Sequence, residues 1–318
     1  VNEAARIAML ARVLSAEAVQ GEGIEIGIGD DAAVLSPVGA AGRRLVWTVD
    51  EQVEGTHFRR DLASWHDIGW RSFMAAASDV AAMGAVPWCA LSALVLPDDL
   101  DDAALEELAR GQSAAAATAG APVVGGNLAR GPALSIATTL LGTCERAILR
   151  RGAVAGDGLW MAGRVGMAAA GLRALGAQMG NVAALGPAVD AWRKPRALVA
   201  EGRAMAAFAH AAVDVSDGLA CDLGHLAETS GVRAELEASA LLADEDLAAA
   251  ARALGADALE LALYGGEDYA LVAASPVAIA GFRRIGEVTA GRGVNLRSSS
   301  GSRPIEPRGF DHFTSGKP

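Results

Sequence analysis

Met74-Ala75-Ala76-Ala77-Ser78-Asp79-Val80-Ala81-Ala82-Met83-Gly84 is the stretch on which the fold turns. Upstream of it Ser64-x-x-Asp67 forms a capping-box pattern, and Phe73, Ala77 and Val80 recur at helical spacing, which predicts a helix from Ser64 through Met83. On that helix Asp79 shares a face with Ala75, Ala76, Ala82 and Met83 at i±3 and i±4. Side chains this small let another backbone or a ligand approach closely. Burying an uncompensated carboxylate there costs roughly several kcal/mol, so a cation or hydrogen-bond donors must lie against it.

Before this helix, Leu45-Val46-Trp47-Thr48-Val49-Asp50 alternates as a strand, with Val46, Thr48 and Asp50 on one face and Leu45, Trp47 and Val49 on the other. After it, Asp101 to Ala119 reads as a second helix, acidic in its first turn and stopped by Gly120 and Pro122. A short strand at Val123-Val124, a Gly125-Gly126 loop and a strand from Ala133 to Thr143 follow. The turn-rich run from Arg150 to Gly158 interrupts the pattern. Beyond it come a strand at Leu159 to Ala162, helices at Met167 to Leu175 and Arg196 to His210, a strand at Ala212 to Val215 and a helix at Leu219 to Thr229. A loop-rich stretch, a strand at Tyr269 to Ala274 and a short helix before Ile285 complete it, with Gly291 to Arg308 polar and irregular. The simplest account is an α/β chain of two domains, residues 1–149 and 150–318.

Composition narrows the chemistry. The 27 Lys and Arg against 38 Asp and Glu give a net charge of −11, which leaves no basic stripe for a nucleic-acid backbone. No apolar run reaches the length of a membrane span, and VNEAARIAML lacks the regions of a signal peptide, so a soluble cytoplasmic protein is expected. Cys89, Cys144 and Cys221 form no C-x-x-C pair and read as small core residues. The five histidines contain no H-x-x-x-H pair, so no zinc site is expected. Lysine occurs only at Lys194 and Lys317, so a G-x-x-x-x-G-K-[ST] phosphate loop cannot be built.

Acids stand instead where bases would. Asp30 and Asp31 adjoin in the turn Gly27-Ile28-Gly29-Asp30-Asp31, Asp50 ends a strand, and Asp214-Val215-Ser216-Asp217-Gly218 sets two acids between a strand and a helix. Asx turns, a solvated strand end and a plain N-cap would account for each alone. Together with Asp79 they make an oxygen-rich set suited to Mg²⁺, a hard ion commonly shared with substrate phosphates. Metal-assisted phosphoryl transfer is the chemistry this favours. Gly125-Gly126-Asn127-Leu128-Ala129-Arg130 and Arg150-Arg151-Gly152 offer amides and guanidinium groups to an anion, or are ordinary connections. Tyr264-Gly265-Gly266-Glu267-Asp268-Tyr269 is a further acidic turn.

GIGDDAAVL, TVDEQVEGTHF, ASDVAAMGA, VVGGNLAR, DVSDGLACDLGHL, YGGEDYALV and GFDHF, in that order from Gly27 to Phe313, resemble the thiamine-monophosphate kinase family. The SDVAAMGA type of segment is shared with aminoimidazole ribonucleotide synthetase, selenophosphate synthetase and hydrogenase-maturation relatives. The D-x-x-x-x-G-x-H-F, GGEDY and GFDHF segments are more particular. The resemblance implies direct transfer of the ATP γ-phosphate to thiamine monophosphate, giving thiamine diphosphate with no phosphoenzyme. It implies an α/β (α+β) synthetase-like fold, whose N-terminal ATP-binding and dimerisation domain pairs its mixed sheet across a homodimer, and a C-terminal α/β domain. It also implies ATP as co-substrate and several Mg²⁺ ions, held by Asp31, Thr48, Asp50, Asp79 and Asp214, by the Val49 carbonyl and by Asp217, with Asp50, Asp79 and Asp214 central to catalysis. Gly126, Asn127, Arg150 and Ser216 would face ATP, and His57, Glu267 and Phe310 the thiamine phosphate. Asn127 stands where the family often has Asp; its amide oxygen can ligate Mg²⁺ but brings no charge.

A phosphate monoester is already ionised near neutral pH, its second pKa being about 6, so no strong general base is needed. Two other readings stay open: a different ATP-dependent enzyme of the same superfamily, resembling aminoimidazole ribonucleotide synthetase, and a non-catalytic Mg-nucleotide sensor. Formation of thiamine diphosphate would separate the kinase from both.

Overall fold

The structure, a computed structural model, describes residues 24–26, 30–36 and 42–313; the glycine turn at 27–29 lies outside them. Strands β1 (Ile24–Ile26), β2 (Ala33–Leu35), β3 (Arg44–Val53), β4 (Val86–Leu96), β5 (Val123–Arg130) and β6 (Ser135–Cys144) form one sheet in the order β1-β2-β3-β6-β4-β5. Strands β7 (Gly158–Ala162), β8 (Ala211–Val215), β9 (Arg233–Glu237), β10 (Ala270–Ser275), β11 (Arg283–Thr289), β12 (Gly293–Ser298) and β13 (Gly301–Ile305) form a second, ordered β13-β12-β9-β11-β7-β10-β8. Among the strands described, β4 with β5 and β9 with β12 pair in parallel and the rest antiparallel. The helices are α1 (Trp65–Ala82), α2 (Asp102–Ala119), α3 (Met167–Gly176), α4 (Gly186–Arg193), α5 (Val199–Met205), α6 (Leu219–Ser230), α7 (Ala238–Leu241), α8 (Glu245–Leu254) and α9 (Ala258–Tyr264). Among the described residues no helix is long and apolar enough to cross a membrane.

Helix α1 opens with the capping box, Ser64 Oγ accepting from the Asp67 amide at 3.1 Å and Asp67 Oδ2 from the Ser64 amide at 3.4 Å. Phe73, Ala77 and Val80 pack with Val46 and Leu140 of the first sheet. Ala81 and Ala82 pack with Ala212, Leu271 and Ala273 of the second. The alanines that looked like room for a ligand are thus largely room for backbone, since α1 lies between both sheets. A Cβ on Gly202 of α5 would stand 2.2 Å from the Ala81 carbonyl oxygen.

Several expectations need correction. The polar run from Gly291 to Arg308 contains the hairpin β12–β13, and the segment before Ile285 continues as strand β11 rather than a helix, after a turn through Gly281 at φ +83°. β12 alternates over one short stretch, with Val294 and Leu296 buried, and β13 at the sheet edge is exposed except at Ile305, so little apolar signal marks the hairpin. Residues 230–268 hold β9 and α7 to α9 rather than loops. The helix expected from Arg196 to His210 is shorter, Val199–Met205, because the chain must turn through 206–210 to enter β8. Gly125 and Gly126 lie within β5 rather than in a loop, and β4 had no sequence expectation at all.

Helices α1 and α2 cross at two glycines. A Cβ on Gly69 would meet the Leu108 carbonyl oxygen at 1.9 Å, and one on Gly111 the His66 carbonyl oxygen at 2.0 Å. Gly69→Ala is therefore expected to lower unfolding free energy by about 1–3 kcal/mol through overpacking, measured by urea denaturation; an unchanged midpoint would show that the helices separate freely.

Candidate active site

Neighbouring residues on α1 reach toward different sheets. Asp79 Oδ2 accepts from Thr48 Oγ1 of β3 at 2.6 Å, while Ser78 Oγ donates to Asp214 Oδ2 of β8 at 2.6 Å. Two positions one residue apart on a helix point about 100° apart, which lets a single turn serve both. Strand β2 pairs with β3 only at Leu45 to Trp47, so Thr48, Val49 and Asp50 lie past that pairing. Asp30 and Asp31 occupy this space, the Asp31 carbonyl lying 3.4 Å from Thr48 Oγ1.

The outcome is a cluster in which carboxylate oxygens of Asp31, Asp79 and Asp214 all lie within 4.8 Å of one another. Arg150 is its cation, donating from Nε to Asp31 Oδ1 at 2.8 Å and also through Nη2, while its main-chain amide donates to Asp30 at 3.2 Å. One arginine does not neutralise the group. Burial, then the Asp214, Asp31 and Asp50 charges, pushes the Asp79 carboxyl well above its usual range. Burial and Asp31 raise Asp214 to about 7, and the same two causes raise Asp30 to about 6. Asp31 Oδ2 is buried with no hydrogen-bond partner. An orphaned carboxylate oxygen among convergent acids fits a hard divalent cation better than it fits protein alone.

A second assembly adjoins it. Arg71, fully buried on α1, donates to Glu267 Oε1 at 2.5 Å and to the Trp192 carbonyl, with its guanidinium 4.5 Å from the Trp192 ring. Trp192 Nε1 donates to Glu267 Oε2 at 2.9 Å, so both oxygens of that carboxylate are held. Glu267 and Tyr269 adopt φ of +65° and +50°, sparsely populated for residues with a Cβ. Their amides hold the turn there by donating to the Ser216 and Val215 carbonyls at 2.7 and 2.8 Å. Asp268 accepts from the Gly166 and Ala168 amides at the start of α3. His57 Nδ1 accepts from the Val53 amide at 2.9 Å, and its ring lies 4.8 Å from that of His312, which meets Phe310 edge-on at 4.8 Å. Burial, then His312, lowers the His57 pKa. The Asp50 carboxyl, raised by burial, is close enough to feel both His312 and Arg71, which puts the two assemblies side by side.

The sequence-derived set is therefore largely brought together, with one correction. Gly126 pairs with Ser92, Ser92 with Thr138 and Thr138 with Asp50, so about three strand spacings of about 4.8 Å separate Gly126 from Asp50. Asn127 is in register with Ala93, Ala137 and Glu51, placing it on the outward face with Trp47 and Val49. Within one chain neither residue joins the aspartates. Val49 likewise turns its side chain outward, leaving only its main chain for the cluster. Asp217 lies in the loop after β8, where Asp222 Oδ2 accepts from the Ser216, Asp217 and Gly218 amides at 3.0, 3.1 and 3.1 Å. Arg71, Trp192, Ser78 and Asp222 escaped sequence reading. Only Arg71 left a signal there, as a lone cation at i−8 from Asp79.

Fold and site together define a two-sheet phosphoryl-transfer protein of the AIR synthase type. Residues 29–144 match the N-terminal domain of AIR synthase related proteins. The chain is 33% identical to thiamine-monophosphate kinase of Aquifex aeolicus, over 90% of this chain and 92% of that protein, and 40% identical to that of Mycobacterium tuberculosis, over 84% and 80%. A solved structure of AaThiL complexed with AMPPCP and TMP superposes with TM-score 0.88 at 30% identity, covering 98% of this chain and 97% of that one. The chain belongs to the thiamine-monophosphate kinase family. The hydrogenase maturation protein HypE shares the fold, with TM-score 0.68 at 21% identity over 93% of this chain and 94% of that one.

The raised carboxylates carry a sign. Unfolded aspartate sits near 3.8, so stability gained by binding these protons is full below about pH 4 and is lost as pH rises through 6 to 7. In EDTA the melting temperature is expected to fall between about pH 5.5 and pH 8, and Mg²⁺ is expected to raise it more at the higher pH. Thermal unfolding with and without Mg²⁺ checks this; a Mg²⁺ effect independent of pH would dissociate the cluster from the ion.

Proposed function

We infer that this protein transfers the γ-phosphate of ATP to thiamine monophosphate, giving thiamine diphosphate and ADP. The observation that carries the reading is the partly orphaned group of Asp31, Asp79 and Asp214 beside Arg150, adjoining the His57, Glu267 and Phe310 assembly. Asp31, Asp50, Asp79 and Asp214, with the Thr48 hydroxyl and the Val49 carbonyl, would hold Mg²⁺ ions, with Asp217 a further ligand. Bound there, Mg²⁺ neutralises charge on the phosphates of both substrates. The protein's own share is positional. Ser78 and Thr48 fix the carboxylates, Arg150 and Ser216 meet nucleotide phosphate, and Arg71 with Trp192 locks Glu267 for the thiamine moiety. No side chain need abstract a proton, because the acceptor phosphate is already ionised.

Residues 1–149 act as the ATP-binding and dimerisation domain and 150–318 as the C-terminal domain, a division supported by the first sheet ending at Cys144 and the second beginning at Gly158. The outward face of the first sheet exposes Trp47, Val49, Trp88 and Leu91, an apolar surface of the kind that pairs with a second copy. A homodimer formed there gives Asn127 its place, on the contact face rather than beside its own aspartates. The enzyme works in the cytoplasm on small-molecule substrates.

Purified protein with ATP, Mg²⁺ and thiamine monophosphate is expected to yield thiamine diphosphate, read by chromatography; binding of both ligands without turnover would favour a sensor. Asp79→Asn is expected to lower turnover by more than about 100-fold, the scale of losing one preorganised electrostatic partner. The same change removes a repelled charge, so the metal-free melting temperature is expected to hold or rise. Full activity in the variant would remove Asp79 from the metal set.

A further inference from the structure

The acids assigned to the metal set share one trait. Asp31 is held at Oδ1 by Arg150, Asp79 at Oδ2 by Thr48 and Asp214 at Oδ2 by Ser78, so each side chain is fixed through one oxygen and keeps the other for a ligand. Asp50 is held in the same way by a residue with no role so far. Gln52 Nε2 donates to Asp50 Oδ1 at 3.0 Å, and among the described residues it is the one hydrogen-bond donor to that carboxylate. Alternation along β3 brings the two together, since Val46, Thr48, Asp50 and Gln52 share its inward face.

Stability does not account for Gln52. The side chain is 3% exposed, and its Oε1 is buried with no hydrogen-bond partner. Thr138, directly opposite Asp50 on β6, is fully buried with its hydroxyl equally unpartnered. Polar atoms are thus kept beside Asp50 on a sheet face that Val46, Ile136 and Leu140 otherwise make apolar. An unmet acceptor in the interior costs free energy that an apolar side chain of the same size would not. What remains to explain Gln52 is its contact with Asp50, and there the neutrality of the donor matters. A cation would fix the carboxylate equally well but cancel the charge that binds a divalent ion, whereas an amide fixes it and leaves that charge in place.

We propose that Gln52 is a positioning residue for divalent-metal binding: its amide fixes Asp50 through Oδ1 and leaves Oδ2 to ligate Mg²⁺. Gln52 itself ligates nothing and acts only through Asp50. The proposal rests on the reading of Asp50 as a Mg²⁺ ligand and is independent of which phosphate ester accepts the phosphoryl group.

Metal binding by the full chain is read without nucleotide, as the Mg²⁺ concentration that half-maximally raises the melting temperature at about pH 8. Gln52→Met, which keeps the size of the side chain and removes the amide, is expected to raise that concentration by about 10–100-fold, the range for losing an outer partner of a metal ligand. Gln52→Asn, polar but one methylene shorter, is expected to do the same, so the test does not depend on a single variant folding. In an Asp50→Asn background neither change is expected to shift the concentration further, because Gln52 then has no carboxylate to hold. A wild-type Mg²⁺ requirement in either folded single variant, or an equal further shift in the Asp50→Asn background, would overturn the positioning role. A wild-type requirement in Asp50→Asn alone would instead overturn Asp50 as a ligand.

Discussion

Carboxylate oxygens of Asp31, Asp79 and Asp214 lie within 4.8 Å of one another. At that distance two ionised groups repel by about 3–4 kcal/mol at an effective dielectric constant near 20. The fold is arranged to hold them there regardless. Each acid comes from a different element: Asp31 from the segment before β2, Asp79 from α1 and Asp214 from β8. Each is held by a partner that cannot relax away, Arg150, Thr48 and Ser78 respectively. Protons or divalent ions relieve the repulsion. The burial that makes the cluster costly is thus the same burial that gives it a use, because a hard cation entering it finds ligands already gathered and poorly solvated.

Much of this was legible in the chain. An aspartate among alanines on a helix is anomalous enough to predict a compensating partner, and alternation put Asp50 on one face with Thr48, although β3 runs on to Val53 rather than ending at Asp50. What alternation could not show was which sheet each acid meets, since that depends on α1 being inserted between the two. What the lone cation at Arg71 meets was hidden for a related reason: it reads as a solvated helix residue until Glu267, far along the chain, folds over it with Trp192. The fold was less legible in its marginal strands. β5 is exposed throughout and carries two glycines, β13 runs GSRPI, and the alternation in β12 rests on Val294 and Leu296 alone, so apolar pattern and strand propensity mark them weakly. Asn127 illustrates the limit of motif transfer. Its segment matches the resemblance, yet register puts it on the opposite face of the sheet from Asp50.

The net charge of −11 has a different meaning once the structure is in view. Several of the acids are interior groups whose pKa values burial has raised, Asp214 and Asp268 to about 7, with Asp79 and Asp222 also well above the usual carboxylate range. The formal count therefore overstates the charge on the metal-free protein near pH 7. A protein poor in lysine can accept polyanionic substrates if cations are brought in with them, and the scarcity of lysine and the clustering of aspartate are two sides of one arrangement.

Helix α1 is gripped by both sheets at once, through Ser78 and the alanines on one side and through Thr48, Phe73 and Val80 on the other. Two halves joined by a buried strut of this kind cannot swing apart like a jaw, since opening would strip the strut of its packing and pull Asp79 and Asp214 from their hydroxyl partners. Entry and exit of ligands must then occur by movement at the rim, where the final segment from Pro307 to Phe313 lies over Gly224, Cys221 and the His57 turn. The arrangement of the acids is thus a property of the folded chain itself rather than something assembled by closure of two halves.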